Sequence, residues 1–115
     1  MENMGMENVS FQDFEKLDIR VAKVLECSPV PGADKLYQLK VRLGAEERQL
    51  VAGVAPYYKP EELVGKRILV LANLEPKKIR GLESKGMLLA AVSDDQSKVV
   101  LCTVDREIED GTKIR

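Results

Sequence analysis

The clearest pattern in the chain is an alternation of apolar and polar positions. Tyr37, Leu39, Val41 and Leu43 alternate with Gln38, Lys40 and Arg42, the period of two that marks a half-buried β-strand. Residues 19–26 (IRVAKVLE) are rich in β-branched side chains and predict an earlier strand, broken by Pro29, Pro31 and Gly32. The turn Gly44-Ala45-Glu46-Glu47 leads into residues 48–54 (RQLVAGV), which predicts a hairpin. Residues 67–72 (RILVLA), 87–92 (MLLAAV) and 99–104 (VVLCTV) read as further strands, the last two separated by the turn SDDQS. Gly111, close to Lys113 and Ile114, points to a closing turn and a final β-bridge.

Two short segments depart from this pattern. Ser10 with Asp13 forms a weak capping box ahead of Phe11, Phe14 and Leu17, which recur every three residues, so residues 11–16 predict a short helix with one apolar stripe. Isolated helices of this length are unstable, so the stripe must pack on its own domain or on another subunit. Lys59-Pro60-Glu61-Glu62-Leu63-Val64-Gly65 predicts one helical turn, with Pro at its first position, acids at its positive end and Gly at its close. Three strands, a helical link and further strands give the expected fold class: all-β, a five-stranded OB barrel with a short N-terminal helix and a helical turn between strands three and four. A small β-sandwich would use the same strand count. Residues 1–9 are expected to form a flexible tail and residues 10–115 a single domain, as 115 residues allow.

Composition narrows the chemistry. There is no histidine, which removes the commonest general base and the commonest transition-metal ligand. No phosphate-binding glycine loop precedes a helix and no acidic metal cluster is visible, so neither catalysis nor a cofactor is expected. Cys27 and Cys102 have no ligand or redox spacing and read as small core residues in a reducing compartment. No apolar run reaches the roughly 20 residues that span a bilayer. The acidic start lacks a secretory signal, and a cytoplasmic location is expected.

The net charge is −1, but it is unevenly placed. Residues 1–18 carry five acids against Lys16, whereas residues 66–86 carry Lys66, Arg67, Lys77, Lys78, Arg80 and Lys85 against Glu75 and Glu83. A polyanion needs a local positive surface, not a positive total. The segment from Asn73 to Met87 supplies one, with Lys77, Lys78 and Arg80 within four residues. It lies between two strands and so is expected on the surface, where a cationic loop is also often no more than solvated. Ser84 and Lys85 add phosphate donors. The rings are few: Phe11, Phe14, Tyr37, Tyr57 and Tyr58. Tyr37 shares a face with Leu39, and the phenylalanines belong to the helix. This favours a folded RNA held through phosphate and shape over stacked single-stranded bases.

Asp18-Ile19-Arg20-Val21, Pro31-Gly32-Ala33-Asp34-Lys35-Leu36, Val51-Ala52-Gly53 and the whole segment from Asn73 to Met87 resemble the tRNA-binding domain family. That family occurs as the C-terminal appendix of bacterial methionyl-tRNA synthetase, in other synthetases and their cofactors, and as small free-standing proteins. The resemblance covers about residues 11–115. It implies an OB fold, a homodimer, and structure-specific binding to the outer corner of tRNA without reading an anticodon, alone or beside an aminoacyl-tRNA synthetase. Carried over by position, the implied contacts are Lys35, Asn73, Lys77, Lys78, Arg80, Ser84, Lys85 and Met87. The Phe11, Phe14 and Leu17 stripe is a candidate for part of the dimer interface. An Asn at a strand end commonly bonds its own turn, and a Met opening an apolar strand is often core, so Asn73 and Met87 also have purely structural readings. A branch of the same barrel family is a chaperone-like export factor that lacks much of the basic loop, which leaves protein binding as the alternative.

Overall fold

A computed structural model describes residues 7–115. Residues 7–10 carry no regular structure and are exposed, and the first six residues of the expected tail lie outside the described residues. Helix α1 spans Phe11–Glu15, with the Ser10 hydroxyl accepting from Asp13 N–H at 3.0 Å, as the sequence predicts. Three long strands follow: β1 (Ile19–Val30), β2 (Ala33–Leu43) and β3 (Glu46–Ala52). A helical turn α2 (Pro60–Leu63) links them to β4 (Arg67–Leu71). The remaining strands are short: β5 (Lys77–Ile79), β6 (Leu82–Ser84), β7 (Met87–Leu88), β8 (Ala90–Val92) and β9 (Val99–Leu101).

The principal sheet is antiparallel in the order β3-β2-β1-β4-β7, and β5-β6 and β8-β9 are separate two-stranded ribbons. The fold is therefore mostly β with short helices, as expected, but among the described residues no ladder closes the five strands into a ring. The two edges are bridged instead: Lys85 N–H donates to Gln49 O at 2.9 Å, and Ser84 fills the gap beside Val51.

The alternation in β2 behaves as its period demands. Tyr37, Leu39, Val41 and Leu43 are buried and meet Leu50, Ile68, Val70 and Leu88 in the main core, with Leu63 of α2 as its plug. The Tyr37 hydroxyl donates to Tyr58 O at 2.7 Å, so the ring is a core residue with a satisfied polar end. Several boundaries differ from the predicted ones, and three of them have a visible cause. β1 runs through Pro29 to Val30, because β4 pairs only with residues 19–23 and leaves the later half an edge where a missing N–H costs nothing. The predicted strand 87–92 is two strands: at Leu89 the chain changes partners, donating to Leu69 O and accepting from Cys102 N–H, both at 2.9 Å. The run 99–104 is ladder-paired only over Val99–Leu101.

The C-terminal segment covers the other edge of early β1. Gly111 N–H donates to Val21 O at 2.6 Å, Val21 N–H to Thr112 O at 2.9 Å and Ile114 N–H to Ile19 O at 2.8 Å, giving the predicted bridge at Lys113.

Candidate nucleic-acid interface

The segment expected to be a cationic loop is a β-hairpin. Lys77 faces Ser84, Lys78 faces Glu83 and Ile79 faces Leu82, and Arg80-Gly81 turns the chain with φ of +53° and +80°. Positive φ at both central residues is the signature of the I′ turn, whose twist matches the flanking strands. The hairpin is anchored through Ile79 and Leu82, which are half-buried on a small second core of Val30, Ala33 and Val51. β3 holds it from the side. Gln49 Nε2 donates to Glu83 O at 2.9 Å, and the Arg48 guanidinium reaches both Ala72 O and Lys85 O. Arg48 and Gln49 were not apparent as supports from the sequence, since pattern alone places them on a strand without saying what lies across from it.

The implied contact residues divide into two groups. Lys35, Lys77, Lys78 and Arg80 are exposed, and among the described residues none has an acidic partner within ion-pair distance. Lys85 is exposed too, with a loose contact of 3.8 Å to Glu83. Met87 lies at the edge of the sheet with half its surface in solvent (50%), so it is not a core residue.

Ser84 and Asn73 are committed elsewhere. Ser84 is only 5% exposed; its hydroxyl accepts from Val51 N–H at 3.0 Å and donates to Gly86 O at 3.1 Å. In this structure both roles of the hydroxyl are used in seating the hairpin. Asn73 is exposed, but its Oδ1 accepts from Asp18 N–H at 2.9 Å and its Nδ2 donates to Lys16 O at 2.6 Å. It clamps the exit of α1, more than fifty residues away in sequence, rather than its own turn.

The basic segment also loses two of its six cations to other surroundings. Lys66 sits 5.2 Å from the centre of the Tyr58 ring, within cation–π range. Arg67 lies against the stretch from Thr103 to Glu109. What remains positive is the hairpin and, beside it, Lys35. Lys35 and Arg80 line one groove of about 320 Å³ with Asp34 and Leu36. Among the described residues no three His, Cys, Asp or Glu side chains gather as metal ligands would. Cys27, packed against the core, has its thiol pushed up to about 11 by burial, which removes it as a nucleophile at neutral pH.

A hairpin whose cations have no acidic partner among the described residues, seated beside an antiparallel sheet, is an arrangement for holding a polyanion. Sequence comparison gives the class: residues 19–113 match a family model described as "Putative tRNA binding domain". The chain belongs to this family of tRNA-binding domains. Its relatives include methionine–tRNA ligase of Thermococcus kodakarensis, 56% identical over 114 residues that make up 99% of this chain and 15% of the ligase. The chain thus spans about a sixth of the length of the curated relatives it matches. Among solved structures it superposes on a MetRS related protein from Pyrococcus horikoshii with a TM-score of 0.90 at 38% identity, covering 96% of this chain and all of that one. Chaperone CsaA from Bacillus anthracis superposes with a TM-score of 0.85 at 30% identity, covering 95% of this chain and all of the chaperone.

Proposed function

We propose that this chain binds folded tRNA at its outer corner through phosphate and shape, as a non-catalytic module that acts alone or beside an aminoacyl-tRNA synthetase of the methionyl type. The observation that carries this reading is the set of exposed cations, Lys35, Lys77, Lys78 and Arg80, gathered around one hairpin with no acidic partner among the described residues. They take the phosphates, with Lys85 and Met87 at the margin, while Ser84 and Asn73 hold the surface in shape. The reading places this work in the cytoplasm, where tRNA is used.

The hydrogen bonds of Lys85 and Ser84 to β3, across the gap between the sheet's two edges, support an OB-type barrel. A homodimer completes the binding surface. In one subunit Phe11 is 70% exposed and Leu17 41%, and with Phe14 and Ile114 they form the apolar part of an open groove, edged by Glu15, Lys113 and Arg115, that a second copy can cover. Doubling the basic hairpin lets a small domain grip a large RNA with avidity.

The test is binding to bulk tRNA and to a single-stranded RNA of equal length across a salt series. Log affinity for tRNA should fall with log salt by about 0.7–0.9 per phosphate contact, with folded tRNA preferred. Lys77→Ala should leave thermal stability within about 0.5 kcal/mol, weaken all tRNAs alike by about tenfold and make the slope shallower. Equal affinity for both RNAs would reduce the hairpin to a general polyanion patch. The likeness to chaperone CsaA supports a second reading, a surface for polypeptide. Protection of the hairpin from protease by unfolded protein, and not by tRNA, would favour it.

A further inference from the structure

The groove between the β1–β2 turn and the tip of the hairpin has a composition that a bare phosphate site would not have. It is lined by two cationic residues, Lys35 and Arg80, by the acidic Asp34, and by Gly32, Ala33 and Leu36. Asp34 is exposed and, among the described residues, pairs with neither cation. An unpaired carboxylate in a phosphate seat repels the ligand it should hold. The same carboxylate is well suited to a neutral edge that donates hydrogen bonds. The volume, about 320 Å³, lies near the lower limit of small-molecule pockets, the scale of a single nucleotide.

We infer that this groove seats one unpaired guanine nucleotide of the bound RNA, with Asp34 accepting from the base, Arg80 flanking its ring and Lys35 taking its phosphate. The base follows from donor arithmetic. An ionised carboxylate offers two acceptor oxygens and no donor. Guanine alone presents two adjacent donors, N1–H and N2–H, on its Watson–Crick edge. Adenine and cytosine set an acceptor beside their amino group, and uracil sets its single N–H between two carbonyls, so each brings a lone pair against the carboxylate. Unstacked bases in RNA loops are commonly laid on guanidinium planes and read along this edge. Leu36 and Ala33 give the ring an apolar wall. The inference rests on the tRNA-binding reading and adds one read base to a contact set otherwise blind to sequence; it is compatible with uniform tRNA binding where that guanine is shared.

The test is a chemical-shift titration of the full chain with GMP, AMP, CMP, UMP and inorganic phosphate, each to tens of millimolar, followed at the backbone amides of residues 32–36 and 80–81. GMP should shift these amides at about tenfold lower concentration than the other three nucleotides, the gain of a charge-assisted pair over a mismatched edge. Asp34→Asn should erase that preference while leaving the fold and the phosphate response intact, and Arg80→Ala should weaken all four nucleotides. Equal responses to the four nucleotides, a phosphate response as large as that of GMP, or no response at these amides would each overturn the inference. Bulk tRNA titrated in parallel separates the two ideas. tRNA bound without a GMP preference sinks the guanine seat alone, whereas a GMP preference without tRNA binding sinks the tRNA reading.

Discussion

The hairpin tip and the contact between β2 and the C-terminal segment each place an arginine beside a glycine turn, and they use it in opposite ways. At the C-terminus, Arg42 Nε and Nη2 donate to the two oxygens of Asp110 at 3.1 and 3.2 Å, and Gly44 N–H donates to the same carboxylate at 3.0 Å. The Arg42 guanidinium and the Gly44 N–H thus share one partner within the chain. At the hairpin, Arg80 occupies a turn position at positive φ and its guanidinium meets no carboxylate among the described residues. A charge whose partner is internal stabilises the fold, and a charge left open keeps its interaction for a ligand. Basic residues are therefore better sorted by what already satisfies them than by how many there are.

If the C-terminal latch is purely structural, its closest approach should be its weakest point. A β-carbon on Gly111 would lie 2.8 Å from Gly44 N and 2.9 Å from Gly44 Cα, with φ already at +91°. Both obstacles are backbone and cannot swing away. Gly111→Ala should cost about 2–4 kcal/mol, read as a lower urea midpoint, with tRNA affinity unchanged while the chain is folded. A drop in tRNA affinity for folded protein would erase the division between the two regions.

Ser84 tests the division from inside the hairpin. Ser84→Ala strands the buried Val51 N–H, and should cost about 1–3 kcal/mol in global or local unfolding. Amide exchange should speed up from Lys77 to Ser84, and tRNA binding should fall because the hairpin loosens. A variant that weakens tRNA binding without faster exchange would return Ser84 to the contact set.

Asp110 gives the latch a pH signature. Its hydrogen bonds from Arg42, with that of Gly44 N–H, hold the carboxyl down at about 2 although burial opposes ionisation. The ordinary carboxyl value is about 3.9, so the depressed group stabilises the fold by up to about 2 kcal/mol above pH 4, and this is lost as the pH falls through 2. The side chain is only 10% exposed, so solvent screens little of it. Asp110→Asn should lower stability at neutral pH and flatten acid unfolding between pH 4 and 2. Unaltered acid unfolding would show that the latch is not where the carboxyl works.

The strand alternation of β2, the helical turn from Pro60 and the closing bridge near Lys113 were legible because each rests on local signals: period, Pro and Gly placement, β-branching. The hairpin was not, for a physical reason. Lys77, Lys78 and Glu83 are polar on both faces, so no alternation marks the strands, and Arg-Gly is not the usual chemistry of an I′ turn. Pro29 misled in the other direction, because its tolerance depends on β4 ending opposite Lys23. The cations were legible as a cluster, but Ser84 and Asn73 were assigned to the ligand because their partners, Val51 and Asp18, are 33 and 55 residues away in sequence. Composition nominates donors, and only long-range register says which are already spent.

Arg80 sharpens the comparison most, since there the two uses of an arginine conflict at one residue. A side chain at positive φ costs up to about 1–2 kcal/mol where glycine or asparagine costs little. If the turn alone mattered, Asn-Gly would serve it better than Arg-Gly. Arg80→Asn should therefore raise the stability of the chain by about 0.5–1 kcal/mol, visible as a small upward shift in Tm, and at the same time weaken tRNA binding by about tenfold. Opposite signs in the two measurements are what a residue kept for its ligand predicts. A loss of stability in Arg80→Asn would mean that the guanidinium is holding the hairpin, and Arg80 would then belong with Arg42.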